Sequence, residues 1–422
     1  YRSDDRGGKR SVDNCRAARA SSRIGMRQPM KHPRYFLFLI ATLLTIQIVW
    51  YTIFTVSYIR KGQVEGSDFR WFYSVGKVSR QYGSGAVYDL ELAAIAQAQV
   101  AGTTVGEERI LLPNHPPFVY PVMALLADLN FRQAYNCYFL GVWIFTAAIM
   151  STLYLILRKR DWPKLDAFLL LCSVLLFEPF FISVLKGQDT YILLIGGLFL
   201  LFSFVGKKDW LAGVGLGLML IRPQIALILA IPFLFRKQKV WWWFLATAAL
   251  LGIYSFIQIG WSGIRDYIVV LGLSTGVEGF GWDEVGMFDA VGLIMRMIPA
   301  LDIDIIHVIG WIFYLASMVG LSILWNSSKT IQQWHLSLAV TLSLFATPHL
   351  HYHDLALLAV PLVGLGIAGV TAGRLTASRA AAMPMAVSVI LLFSEFWDPA
   401  RFTVPYLLMA VLPVLTWWYE KV

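Results

Sequence analysis

The sequence predicts an all-α membrane protein, a polytopic bundle of roughly 10–12 transmembrane helices. The first observation is composition: 58% of the 422 residues are hydrophobic and 14% are charged, with a mean hydropathy of +0.63. Soluble domains average about 25% charged residues. The second is that apolar runs long enough to cross a bilayer recur along the chain, with basic residues between many of them.

The net charge of +9 does not indicate a nucleic-acid partner, because ten Lys and Arg stand against three Asp and Glu within residues 1–34. Such an excess is typical of the cytoplasmic flank of a first span. Residues 1–33 show no apolar periodicity, and we expect a disordered cytoplasmic segment in which Met26 or Met30 is a candidate start of translation. Residues 34–422 are expected to form one transmembrane domain.

Three cysteines are scattered without the pair spacing of a zinc cluster, and they indicate no disulfide framework. They are Cys15, Cys137 and Cys172.

The first predicted span covers residues 35–59 and leaves the cytoplasm, and residues 60–117 form the longest hydrophilic interruption. That external loop begins with an aromatic-rich stretch with Lys77 and Arg80 behind it. This predicts a helix lying in the membrane interface, with its aromatic side in lipid. Asp89 is predicted to N-cap a second short helix. After the prolines at 113–117, residues 118–130 are expected to be re-entrant or a short crossing. The aromatic residues are Phe69, Trp71, Phe72 and Tyr73.

Basic loops fall on one side of the further apolar runs, which predicts that this side is cytoplasmic. Two connections depart from simple alternation. One is residues 121–130, and the other is the run 210–235, which has basic flanks on both sides and Arg222-Pro223 in its middle, so that it either spans the membrane or doubles back. We expect two half-helices that meet at Arg222 at membrane depth. The further runs cover approximately residues 135–157, 166–185, 190–205, 210–235, 240–260, 303–325, 334–346, 355–371, 382–396 and 404–419.

Ionisable residues in or beside spans are costly, and each is a candidate for function. Asp68 can instead cap the helix that follows it. Arg222 lies too deep to reach water easily, which favours a buried ion pair or a functional role. The histidines of 348–354 can bind a metal only if the segment is extended or helical enough to make them converge. The candidates are Asp68, Arg70, His115, residues 186–189, Arg222, Gln224 and residues 348–354.

Two other patterns have a structural explanation. Asp302 and Asp304 resemble the acidic pair of nucleotide-sugar enzymes, but they begin a predicted span and are expected to be acids at a helix N-terminus. The glycines at 213, 215 and 217 follow no predicted strand, so close helix packing is favoured over a phosphate loop.

Several short motifs follow one another in a fixed order after the first span. They are Ser67-Asp68-Phe69, Gly85-Ala86-Val87-Tyr88-Asp89, Phe118-Val119-Tyr120-Pro121, Gly187-Gln188, Arg222-Pro223-Gln224 and Pro348-His349-Leu350-His351-Tyr352-His353-Asp354.

Together these motifs resemble glycosyltransferase family 87 of the GT-C superfamily, which contains bacterial polyprenol-phosphate-mannose-dependent α-mannosyltransferases. The resemblance runs from about residue 35 to the last span. Two positions depart from the family pattern, which more often has Lys where Arg222 stands and a second Pro where Val122 stands. The first departure keeps the charge, and the second affects only the start of a helix.

The resemblance implies a multi-pass enzyme of the bacterial inner membrane with its active site on the external, periplasmic face. It implies a polyprenyl-phosphate-sugar donor, with mannose the expected sugar, and a lipid-linked or glycan acceptor. No cofactor, metal or nucleic acid is implied. The alternatives are an arabinosyl- or glucosyltransferase that uses the same kind of donor, a lipid flippase or transporter, and a non-catalytic assembly subunit.

The resemblance also implies roles for particular residues. Asp68 is expected to be the general base that takes the proton of the acceptor hydroxyl. Cationic groups are expected to stabilise the phosphate of the leaving group, and polar side chains to bind the substrates. The phosphate-binding set is Arg222, His349 and His351, and the substrate-binding set is Tyr120, Gln188, Gln224 and Asp354.

Overall fold

The computed structural model describes residues 34–64, 67–105, 111–274 and 285–421, and within these ranges it contains α-helices and short 3-10 turns with no strand. The helices are α1 Arg34–Arg60, α2 Asp68–Tyr82, α3 Leu90–Ala101, α4 Pro121–Leu126, α5 Phe131–Arg158, α6 Lys164–Leu175, α7 Glu178–Lys186, α8 Thr190–Gly206, α9 Asp209–Leu218, α10 Pro223–Arg236, α11 Gln238–Leu273, α12 Ala290–Met297, α13 Ile303–Ser327, α14 Gln333–Ala346, α15 Ala359–Thr371, α16 Ala377–Ser394 and α17 Asp398–Lys421.

The chain divides into two compact units, Tyr1–Ala41 and Thr42–Val422. The described part of the first unit is the beginning of α1. The second unit contains every candidate site residue. The predicted N-terminal segment, residues 1–33, lies outside the described residues.

The predicted fold class is confirmed, since the described chain is an all-helical polytopic bundle. Within the described ranges, seven helical segments are long and apolar enough to cross a membrane, one of them being α15 with the 3-10 turn before it (Tyr352–Thr371). The pair α6 and α7, bent by 48°, makes an eighth if it counts as one span. This number is below the roughly 10–12 expected because several apolar runs form helices of only 10–17 residues. Among those shorter helices, α8, α9 and α10 lead to or from the candidate site.

The break predicted at Arg222 is confirmed. A 3-10 turn ends α9, Arg222 has a non-helical backbone (φ −123°, ψ 82°), and α10 begins at Pro223. A proline disfavours helical φ/ψ at the residue before it, and its own fixed φ suits the first position of a helix. Lys237 Nζ lies 3.6 Å from Asp209 Oδ1, which joins the far ends of the two half-helices. The segment therefore doubles back as a hairpin with Arg222 at its tip.

A second hairpin is formed by α14, the residues 347–358 that follow it, and α15. We call residues 347–354 the histidine loop. The start of α14 is held at the basic end of the bundle, where Glu420 accepts hydrogen bonds from the backbone N–H groups of Gln333 and Trp334. Arg236, at the end of α10, donates to the carbonyl of Lys329 at the same end.

The lengths of these helices set the depth of their tips. Both α10 and α14 have 14 residues. At 1.5 Å rise per residue each is about 21 Å long, whereas the hydrocarbon layer is about 30 Å thick. Measured from the basic end, Arg222 and the histidine loop therefore lie at similar distances along the bundle, less than the thickness of the hydrocarbon layer.

The glycines of α9 pack helices closely, as predicted. A Cβ atom on Gly215 would lie 2.5 Å from the carbonyl oxygen of Gly196 on α8. A Cβ on Gly213 would lie 2.7 Å from the carbonyl oxygen of Val240 on α11. Any larger residue at either position would push the neighbouring helix away.

The predicted lipid contact of the α2 aromatics is wrong. Phe69, Trp71, Phe72 and Tyr73 are all at most 3% exposed. The ring of Phe69 lies 5.4 Å from that of Tyr135 on α5. The aromatic side of α2 therefore packs against α5 inside the protein and does not anchor the helix in the membrane interface.

The predicted helix caps at Asp89 and Asp302 are confirmed, and the structure shows what residues 118–130 form. The Asp89 carboxylate accepts from two backbone N–H groups and caps α3. Asp302 caps α13 in the same way, accepting from the N–H groups of Asp304 and Ile305. The stretch after the prolines forms only the six-residue α4, about 9 Å long and too short to cross a bilayer.

Candidate active site

The start of α2 packs against the turn between α7 and α8. Gly187 has a left-handed backbone (φ +76°), and a Cβ there would lie 2.4 Å from Cβ of Phe69. Only glycine fits, which explains the Gly187-Gln188 motif. Tyr138 of α5 donates to the carbonyl oxygen of Gln188 at 2.8 Å and fixes the turn. Asp68, beside Phe69, is thereby held next to this turn.

Asp68 is the first residue of α2 and is half-buried, and the N-cap is Ser67. The alternative prediction, that Asp68 is the N-cap of this helix, is therefore wrong, because the N-cap is the preceding residue. A carboxylate in the first turn still interacts favourably with the helix dipole.

Arg222 lies between two buried carboxylates. Its Nη2 is 3.3 Å from Asp189 Oδ1, and its Nε is 3.3 Å from Asp354 Oδ1. The side chains are 12%, 2% and 2% exposed, respectively. The three residues come from the α7–α8 turn, the first hairpin tip and the histidine loop, so this ion pair network joins three separate parts of the bundle.

His115 extends the network on the other side of Asp189. Its Nε2 lies 3.3 Å from Asp189 Oδ2, and its ring packs 4.6 Å from that of Trp71. Burial raises the pKa of the Asp189 carboxyl, but His115 and Arg222 outweigh it and hold the pKa at about 2. Asp189 is therefore ionised throughout the physiological range.

The histidine loop is fixed by a buried acid that no sequence pattern indicated. Asp289, 0% exposed, accepts from the N–H of Gly292 at 2.8 Å and caps α12 with one oxygen. Its other oxygen accepts from the N–H of Leu350 at 2.9 Å. Phe288 donates its N–H to the carbonyl of Leu350 at 2.9 Å. These bonds hold His349 in a left-handed conformation with φ +65°.

The histidines of this loop are neutral at pH 7. Burial, together with His351 and His307, lowers the pKa of His349 to about 4. Burial also lowers the pKa of His351, with Asp354 and Asp68 acting against the shift. Asp68 is therefore close enough to the histidine loop to interact electrostatically with His351. A neutral imidazole can donate one N–H, but it supplies no positive charge.

The other predicted substrate-binding residues occupy two parts of the site. Tyr120 is buried with its ring 6.2 Å from that of Trp71, and Gln188 adjoins Asp189. Gln224 lies on the first turn of α10, where its carbonyl accepts from the hydroxyl of Tyr314 at 2.9 Å. The structure therefore brings Tyr120 and Gln188 together around Asp189 and places Gln224 toward α13.

Within the described ranges, no three His, Cys, Asp or Glu side chains form a group that could hold a metal ion. His353 Nε2 and Asp354 Oδ2 are 3.7 Å apart, while the other oxygen of Asp354 faces Arg222. The rings of His351 and His353 stack 5.4 Å apart. The three histidines do not converge as the alternative metal hypothesis requires.

The model of glycosyltransferase family 87 matches residues 114–348, more than half of the chain. The chain belongs to glycosyltransferase family 87. The match identifies a membrane glycosyltransferase, and its range includes His115, Asp189 and Arg222 but neither Asp68 nor Asp354. No curated protein and no solved structure matches the chain.

Proposed function

We propose that this family 87 enzyme transfers a hexose, specifically mannose, from a polyprenyl-phosphate donor to a hydroxyl of a lipid or glycan acceptor. We place the reaction on the membrane face opposite the basic loops, the periplasmic face of a bacterial inner membrane. The observation that carries the proposal is Arg222, a guanidinium fixed at a hairpin tip within the thickness of the bilayer. A phosphate attached to a lipid reaches this depth, whereas a soluble nucleotide sugar does not.

Arg222 suits a phosphate whose charge grows during the reaction. A sugar linked through phosphate to a polyprenol carries one negative charge, and the released polyprenyl phosphate carries close to two. The two carboxylates engage Nε and Nη2 of the guanidinium, while Nη1 makes only a 3.4 Å contact with the carbonyl of Ile221. An N–H group of Nη1 can therefore donate to a phosphate oxygen in a site of low dielectric constant.

The histidines and Lys186 complete this phosphate site. His349 and His351, neutral at pH 7, contribute N–H donors rather than charge. Lys186 is exposed at the end of α7, and its charge acts on His351.

Asp68 is the proposed general base. The acceptor oxygen forms a bond to the anomeric carbon while the bond from that carbon to the phosphate oxygen breaks. The hydroxyl proton moves to the Asp68 carboxylate, and the electron pair of the broken bond leaves with the phosphate. In-line attack inverts the anomeric centre, so a β-linked donor gives an α-linked product.

The decisive experiment is a donor screen with the purified protein in liposomes. Polyprenyl phosphates carrying mannose, arabinose or glucose are supplied with a lipid extract as acceptor, and the products are identified by mass spectrometry. We expect mannose transfer with release of polyprenyl phosphate. Movement of the intact donor across the membrane with no transfer would establish the flippase alternative and refute the proposal.

The proposed face has a separate test. In a variant without native cysteines, Gln81→Cys lies exposed at the end of α2 and Lys329→Cys lies exposed at the basic end. An impermeant thiol reagent should label the cysteine at 81 in intact spheroplasts and reach the one at 329 only after lysis. The reverse pattern would place the site on the cytoplasmic face.

A further inference from the structure

Among the buried polar atoms without a hydrogen-bond partner in the described residues, four belong to the sequence neighbours of Asp189, to His115 that contacts it, or to Trp71 that packs on His115. They are Trp71 Nε1, His115 Nδ1, Gln188 Oε1 and Thr190 Oγ1. Their residues are 3%, 9%, 6% and 1% exposed. Folded proteins pair nearly all such atoms, because each unpaired one reduces stability. Four together indicate a surface whose partner is a ligand.

Trp71, His115 and Asp189 are in contact, and Gln188 and Thr190 flank Asp189 in the chain. The ring of Trp71 is 4.6 Å from that of His115, and Nε2 of His115 is 3.3 Å from Oδ2 of Asp189. Gln188 and Thr190 are the sequence neighbours of Asp189, at the tight turn that begins α8. His115 contacts Oδ2 of Asp189, whereas Arg222 contacts the other oxygen, Oδ1.

The chemistry of the four atoms distinguishes between ligands. Trp71 Nε1 only donates, Gln188 Oε1 only accepts, and a threonine hydroxyl or a neutral imidazole can do either. A phosphate needs donors alone and leaves the acceptor Gln188 Oε1 without a partner. A polyprenyl tail needs no polar partner. Hydroxyl groups both donate and accept, and a ring carrying several of them also packs on aromatic faces such as that of Trp71.

We propose that these residues form a hexopyranose subsite, in which Trp71, His115, Gln188 and Thr190 bind the hydroxyl groups of the sugar. The inference rests on the proposed function and locates one part of its substrate. Asp189 then separates two chemistries, with the sugar on its His115 side and the phosphate on its Arg222 side. The donor and the acceptor can both supply a hexose, and the test below distinguishes these sources.

The test uses variants that delete one unpaired atom at nearly constant volume, Thr190→Val and Gln188→Met. The probes are polyprenyl phosphate with and without an attached mannose, and binding is measured to the full-length protein in nanodiscs. We expect each variant to bind the mannose-bearing lipid about tenfold more weakly, the effect of one lost hydrogen bond. Binding of the bare lipid should stay within about twofold of the parent value.

Thermal unfolding separates this role from a structural one. Because the deleted atoms have no partner inside the protein, the melting temperature of both variants should equal or exceed that of the parent. Thr146→Val is the matched control, since Thr146 Oγ1 is also buried and without a partner but lies on α5, about 12 Å beyond Tyr138. It should change the binding of neither lipid.

The outcomes are distinct. Weaker binding of the mannose-bearing lipid alone supports the subsite and assigns it to the donor, whereas a tenfold higher KM for the acceptor alone supports it and assigns it to the acceptor. Unchanged binding and unchanged KM values in both variants overturn the subsite while sugar transfer by the parent stands. A parent that binds neither lipid and transfers no sugar refutes the proposed function, and the subsite falls with it.

Discussion

Asp68 and Asp189 lie near the two sides of the contact between Phe69 and Gly187, yet the surroundings of the two acids differ. Asp189 is 2% exposed and held between Arg222 and His115, which keep it ionised. Asp68 is half-buried at the start of α2, next to a loop of neutral histidines. A carboxylate held by a guanidinium is a poor proton acceptor, whereas one that faces neutral groups can take a proton. These surroundings support the proposed roles, in which Asp189 stays charged beside Arg222 and Asp68 takes the acceptor proton.

The largest expected effect comes from removing the basicity of Asp68. Asp68→Asn keeps the size of the side chain and cannot accept the acceptor proton, so turnover should fall by about a hundredfold or more. Donor binding and melting temperature should stay near the parent values. The measurements are sugar transfer at saturating donor and thermal unfolding in detergent.

Asp89→Asn is the matched control, because it makes the same change in the same loop. Asp89 caps α3, and asparagine caps a helix about as well as aspartate. That variant should retain full activity. If Asp68→Asn is as active as Asp89→Asn, the division of roles between Asp68 and Asp189 is wrong.

The second prediction concerns the buried network. Arg222→Met leaves Asp189 and Asp354 as buried carboxylates without their cation, which should cost about 3–5 kcal/mol of stability and abolish most transfer. Arg222→Lys should keep part of the activity, since the charge remains.

Adding Asp189→Asn to Arg222→Met sharpens this result. The double variant has one buried charge fewer, so it should recover part of the lost melting temperature but none of the transfer. Recovery of both would mean that Arg222 only neutralises Asp189 and does not act on the donor phosphate.

The third prediction uses pH. Because the pKa of His349 in the folded protein is about 4, below its ordinary value near 6.5, the unfolded chain binds a proton between these values and the native state does not. Stability should therefore fall as the pH is lowered from about 6.5 to about 4, with about 1.4 kcal/mol per pH unit from this residue.

His349→Asn should reduce that slope in thermal unfolding measured across the pH range. Asparagine tolerates the left-handed backbone at this position better than most residues. An unchanged slope would show that His349 is not held neutral in the folded protein.

The smallest expected effect is that of a chelator. With Asp354 and Asp189 both turned toward Arg222, the site supplies charge for the leaving phosphate from its own cation. Excess EDTA should leave the transfer rate unchanged. If activity is lost and a divalent ion restores it, Asp354 and the histidines are metal ligands. The proposed roles of Asp189 and Asp68 would then be wrong.

The sequence predicted the parts of this protein that depend on local patterns. The lengths of the apolar runs predicted the helical bundle. The Arg222-Pro223 pair predicted the break in the hairpin, because a proline restricts the backbone of the residue before it. The caps at Asp89 and Asp302 were predictable for the same reason.

The remainder depends on contacts between distant segments. The aromatic side of α2 has the composition of an interfacial helix, and nothing local shows that α5 will cover it. His115 and Asp189 were candidates beside spans, but their pairing joins residues 74 positions apart. Asp289 is an acid between two predicted spans, and only the folded chain shows that it holds the histidine loop.

The first hairpin has a consequence for the membrane itself. Beneath Arg222, the residues of α10 that face the bundle, Ile225, Ala226, Ile228 and Leu229, are all 0% exposed. These packed side chains form an apolar layer between the ion pair network of Arg222 and the basic end of the bundle. In the proposed mechanism, the proton released by an acceptor therefore leaves on the face where the substrates bind. Turnover should thus be electrically silent, so the enzyme can hold charges within the bilayer without dissipating the membrane potential.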